Sequence, residues 1–113
     1  MALSFIKLFE PLQLAAAAAQ FYLCPVNPTT TVLKNGRVRL TNTTGAAVPA
    51  TLYAVPASGG AGVTNEFVAG QSVPANSFVD IDVPTLAAGD TLWGFAGTAA
   101  SITIHEMGGV LYS

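Results

Sequence analysis

At 113 residues the chain has room for one domain with a real core and none for a second. Charged side chains make up 9 %, far below the usual quarter of a soluble domain, while hydrophobic residues reach 51 %. A net charge of −2 leaves no basic footprint for nucleic acid, and no apolar run approaches the ~20 residues that cross a bilayer. A surface this poor in charge suits a protein packed against copies of itself or a larger assembly.

Residues 1–10, MALSFIKLFE, carry a heavy apolar load broken by Lys7 and Glu10. With no basic n-region, and with Pro11 following, the stretch does not read as a secretory signal, although Ala15–Ala19 mimics a cleavage site. Residues 1–13 read instead as an N-terminal arm. Its Phe5, Ile6, Leu8, Phe9 and Leu12 are candidate interface residues; the alternative is that they cover one end of the protein's own core. Residues 14–113 form the single remaining domain.

Between Leu12 and Pro25 the signals conflict. Five successive alanines favour helix, and Pro11 suits a first helical turn. Phe21, Tyr22 and Leu23 favour strand, and the β-rich remainder tips the second half towards an extended form. Cys24 is the only cysteine, so an intrachain disulfide and a Cys-based zinc site are both excluded; it reads as a small buried hydrophobe. Val26-Asn27-Pro28 is a turn. Thr29 to Lys34 is a β-branched run, and Asn35-Gly36 is the strongest hairpin signal in the chain, or else a bulge within one long strand.

From Arg37 to Pro56, Arg37, Arg39 and Thr41 alternate with Val38 and Leu40, Asn42 to Gly45 supply turn residues, and Val48 to Val55 are again β-rich. This predicts two neighbouring antiparallel strands joined by a tight connection. Pro56 to Thr64 is a Gly-rich loop, but Gly60-x-Gly62 lacks the third glycine and the helix of a phosphate cradle, so it reads as an exposed, mobile tip. Asn65 to Ala69 is a brief strand. In Phe78 to Val83, Val79, Ile81 and Val83 face one way and Asp80 and Asp82 the other. Thr91 to Phe95 and Ser101 to His105 follow, Met107-Gly108-Gly109 breaks the ladder, and Val110 to Tyr112 closes the chain. About eight short strands at 8–12-residue spacing predict an all-β fold, an antiparallel β-sandwich of immunoglobulin-like or jelly-roll type.

No catalytic constellation stands out. His105 is the only histidine, and its strand parity places it on a polar face with Ser101 and Thr103. Asp80 and Asp82 share a strand face, where solubilising charges are more common than a carboxylate pair or a calcium site. Trp93 sits in an apolar strand and reads as core, the competing reading being a sugar-stacking platform beside the Gly-rich loop. Asn42-Thr43-Thr44 matches a glycosylation acceptor by chance. Catalytic, metal and cofactor sites are therefore expected to be absent. Lys34, Arg37 and Arg39 gather three of the four basic residues, making Arg37 and Arg39 candidate contacts for an acidic partner.

The runs AAAAAQFYLCP, TTTVLK, RVRLTNTTGAAVPATLYAVPASGG, SVPANSFVDIDVPTLAAGDTLWGFAG and SITIHEMGGV, in that order, resemble small β-sandwich virion structural proteins of tailed bacteriophages. The resemblance covers most of residues 14–110. It implies a non-enzymatic bacteriophage structural protein, in first place a capsid decoration or cement protein that stabilises the shell. A tail, neck or fibre accessory subunit, or a glycan-binding module, is the alternative. The reading preferred on these grounds is a homo-oligomer, dimer or trimer, whose partner is the major capsid protein or another virion protein. Neither nucleic acid nor membrane is an expected partner, and the location is the virion, assembled in the host cytoplasm.

Overall fold

Strand after strand, alternate side chains are apolar, and burying those faces against each other produces two stacked antiparallel sheets. The computed structural model describes residues 3, 4 and 6–113. Its strands are β1 (Leu3–Ser4), β2 (Leu12–Gln13), β3 (Ala19–Leu23), β4 (Val32–Asn42), β5 (Val48–Val55), β6 (Glu66–Val73), β7 (Ser77–Val83), β8 (Leu86–Ala87), β9 (Thr91–Ala96) and β10 (Ile102–Tyr112).

The first sheet runs β1-β10-β4-β7, with β2 also on β10 and β8 also on β4; the second runs β3-β9-β5-β6. If β1 and β2 are taken as one interrupted edge strand and β8 as an appendage, eight strands remain among the described residues. Their order is that of a jelly roll, which decides between the two sandwich topologies. The core lies between the sheets: Leu33, Leu40, Ile102 and Ile104 from the first meet Leu52, Leu92, Val73 and Tyr22 from the second. Gly94 of β9 leaves room for the side chain of Leu52, its partner on the neighbouring strand β5. A Cβ there would stand 2.7 Å from Leu52 Cδ2 and 3.2 Å from the Thr51 carbonyl.

Jelly-roll connectivity sends the chain across the sandwich at nearly every turn. Thus β4 and β5 are not neighbours in one sheet, as their sequence suggests: β4 pairs with β10 and β7, β5 with β6 and β9. The crossing is fixed by Asn42, only 1 % exposed. Its Nδ2 donates to the carbonyls of Ala46 (2.7 Å) and Val73 (3.0 Å), and its Oδ1 accepts from Thr44 N (2.9 Å) and Oγ1 (2.7 Å). A side chain so enclosed is no glycosylation acceptor.

Asn35-Gly36 is a bulge, not a hairpin. Strand β4 continues through it with Asn35 at φ 58°, and β10 answers with register shifts around Gly108, so Met107 to Gly109 kink that strand without ending it. Residues 12–23 contain no helix; the tertiary pairing of β2 and β3 overrides the helical preference of the alanines. Cys24 is fully buried, as its setting predicts.

Candidate functional site

The outer face of the first sheet arranges four of the chain's ten charged residues in a cross-strand ladder. Register places Arg37 opposite Asp82 and Arg39 opposite Asp80, which is why the i, i+2 spacing recurs on both strands. Arg39 grips Asp80 with two hydrogen bonds, from Nε (2.8 Å) and Nη2 (3.1 Å), and Arg37 Nε donates to Asp82 at 3.3 Å. The Arg39 guanidinium also lies 4.0 Å from the centroid of the Phe78 ring, which is half-exposed. On the other flank, β10 sets His105 opposite Arg39. His105 Nδ1 is buried and has no hydrogen-bond partner among the described residues. Ser101 is buried at the start of that strand, not exposed beside His105.

The two aspartates thus serve the two arginines. Among the described residues no three metal-ligating side chains gather in one place. Beside the ladder, the paired bulges open a shallow cleft of about 620 Å³ bordered by Asn35, Arg37, Asp82, Thr85 and Met107.

The Asp80 carboxyl is held below its ordinary range, first by the hydrogen bonds from Arg39 and then by the charges of Arg39 and Arg37. A carboxylate with a depressed folded pKa stabilises the fold above its unfolded value of about 3.9 and ceases to do so as pH falls through the lower folded value. Asp80→Asn is therefore expected to flatten the acid limb of a series of thermal melts taken from about pH 5 to about pH 2. An acid limb identical to wild type would assign that limb to other carboxylates.

The N-terminal arm is divided in its loyalties. Phe5 lies outside the described residues. Leu8, Phe9 and Leu12 pack on the arm's own domain: Phe9 meets Phe21 edge-on at 5.3 Å and Tyr22 at 6.0 Å. Leu8 lies over Gly109, where a Cβ would come within 3.0 Å of Leu8 Cδ1. Leu3 and Ile6, by contrast, are 52 % and 57 % exposed. A salt bridge between Lys7 and Glu10 (3.2 Å) brackets Leu8 and Phe9.

Trp93 is not core. Its neighbours Leu92 and Gly94 point inward, so the indole lies on the outer face of the second sheet, half-buried, with Nε1 donating to Thr91 Oγ1 at 2.9 Å. The Gly-rich loop is anchored: Asn65 bonds Gly62 N and the Gly60 carbonyl. Asp90 accepts from the amides of Ala57 (3.1 Å) and Ala87 (2.9 Å), tying the loop's base to the turn before β9.

No protein-family model and no curated protein matches this chain. Among solved structures, a subunit of the disulfide-linked pili that form Bacillus endospore appendages is similar over 98 % of this chain and 88 % of its own. Its TM-score is 0.57 at 24 % identity. A chain of infectious bursal disease virus, Gx strain, is similar over 97 % of this chain but only 30 % of its own, with a TM-score of 0.50 at 15 % identity. At such identities the likeness is one of fold: this chain is an all-β jelly-roll sandwich.

Proposed function

We propose that the chain is a non-enzymatic structural subunit of a multi-subunit assembly, self-associating as a dimer or trimer and decorating a bacteriophage capsid through contact with the major capsid protein. The observation that carries the reading is the arm. Leu8, Phe9 and Leu12 fasten it to the domain, while Leu3 and Ile6 stand outward at half exposure, presenting apolar contacts from a fixed base. Few charges need desolvating when such a surface is covered. The fold likeness to a pilus subunit and to a chain of a virus supports an assembly role, and the ordered sequence resemblance supports the phage particle.

Truncating the arm would also uncover Phe21 and Tyr22, so the better test is the double variant Leu3→Lys/Ile6→Lys. Stability is expected to stay within about 0.5 kcal/mol of wild type, while co-sedimentation with capsids and self-association are lost. Unchanged attachment overturns the arm's role. A companion variant with Arg37 and Arg39 reversed in charge asks whether the ladder also meets an acidic partner.

The near full-length likeness to a pilus subunit favours a second reading, an extracellular filament. Cys24 is the only cysteine and is fully buried, so such a filament would be held here by non-covalent contacts. Negative-stain microscopy of the purified chain separates the readings: long filaments favour the second, discrete small oligomers the first.

A further inference from the structure

The strands of the second sheet carry a single charged residue, Glu66. Register lines up one residue from each strand across its outer face: Gln20 pairs with Trp93, Trp93 with Tyr53, and Tyr53 with Glu66. Directly paired residues share a face, and Trp93 and Tyr53 lie outward because Leu92, Gly94 and Leu52 lie inward. The row thus has two aromatic rings at its centre, an amide at one end and a carboxylate at the other. It spans three strand spacings, about 14 Å. Phe95 extends the aromatic patch, its ring 6.2 Å from that of Tyr53 and inclined by only 30°.

The patch has a wall at one end. Val55 belongs to this outer face, one row beyond Tyr53, yet it is only 1 % exposed. The Gly-rich loop folds over it, so close that a Cβ at Gly59 would lie 3.5 Å from Val55 Cγ1. Asp90 holds that loop down.

We propose that the row Gln20–Trp93–Tyr53–Glu66 binds a neutral oligosaccharide. Sugar rings offer an apolar C–H face to stack on the indole and phenol, and equatorial hydroxyls for the amide and carboxylate at the ends. A second copy of the chain fits this face poorly. The row, about 14 Å long, is small against the roughly 800 Å² per partner of a stable interface. A charged ligand finds nothing to pair with except Glu66. The site uses none of the arm's exposed residues, so the subunit would carry a ligand while Leu3 and Ile6 dock elsewhere.

The test is titration of the intact protein with cellotriose, maltotriose and chitotriose, read by calorimetry and by tryptophan emission, together with a neutral-glycan array. At least one probe or array glycan is expected to bind and shift the emission. Trp93→Ala should weaken it by about tenfold or more, and Glu66→Gln and Gln20→Ala by several-fold. Should Trp93→Ala fail to fold by circular dichroism, the two end-residue variants, at exposed or half-exposed positions, carry the decision. No binding to any probe, or undiminished binding by folded variants, overturns the proposal. So does a self-association that depends on Trp93, which would make the face a protein interface.

Discussion

Asn42→Ala is expected to cost about 3–4 kcal/mol, since it removes four hydrogen bonds, one fully buried and three partly buried, each contributing on the order of 1 kcal/mol. For a domain of this size that lowers the melting temperature by roughly 10 °C or more. The reason for so large an effect is position: Asn42 ends β4, organises residues 43–47, and reaches the carbonyl of Val73 at the end of β6. One side chain therefore ties together the end of a strand in one sheet, the crossing to the other, and that sheet's far edge. Thr44→Val, which loses only the hydroxyl's single donated hydrogen bond, shared between Asn42 Oδ1 and the Ala46 carbonyl, is expected to cost about 1 kcal/mol. Urea unfolding of both variants checks the ranking; equal, small losses would show that the loop is held by packing alone.

A second large effect is expected in alkali. The Tyr22 hydroxyl is buried without a hydrogen-bond partner among the described residues, and burial pushes its pKa up to about 12, with the charges of Cys24 and Glu106 adding to the rise. An unfolded tyrosine titrates near about 10, so above that pH the unfolded chain releases a proton that the folded chain retains. Stability attributable to Tyr22 is complete below about pH 10 and declines towards about pH 12, by about 2–3 kcal/mol in all. Tyr22→Phe removes both the titration and the orphaned hydroxyl. It is expected to match or exceed wild-type stability at pH 7, by up to about 1 kcal/mol, and to unfold at higher pH in a base titration. Burial also raises the Cys24 thiol, which accounts for part of the alkaline loss remaining in that variant. If Tyr22→Phe is less stable at pH 7, the hydroxyl has a partner in solution that compensates its burial.

What the sequence discloses about this fold depends on the range of the interactions. Period-two alternation is local, so the outward placement of Arg37, Arg39, Asp80 and Asp82 and the burial of Ile102 and Ile104 are legible from neighbours alone. That each arginine meets an aspartate is a matter of register between strands about forty residues apart, which no local pattern contains. The same holds for β4 and β5: turn residues at 42–45 announce a change of direction, but whether the next strand pairs or crosses depends on which sheet needs it. Asn35-Gly36 misleads in the opposite sense, since its left-handed preference is realised in a bulge whose partner kink lies at Gly108. Trp93 reads as core because its strand is apolar on both faces. It lies outside because Leu92, Gly94 and Ala96 already fill the inward positions, a parity clue that small Gly94 obscures.

The kinks that interrupt β10 have a bearing on how so uncharged a chain limits strand addition at a sheet edge. An open strand edge invites further strands, and proteins commonly deter this with lysines or other charges, which this sequence scarcely possesses. Along the outer edge of β10, β1 covers one end and β2 covers Thr103 and Ile104. Between them the backbone is bent out of register at Met107 to Gly109, where φ reaches 153°. A foreign strand arriving there would find no straight run of amides and carbonyls to copy. Irregular backbone takes the place of repulsion, so growth by indefinite strand addition is discouraged at this edge and association is steered to side-chain surfaces that can be saturated.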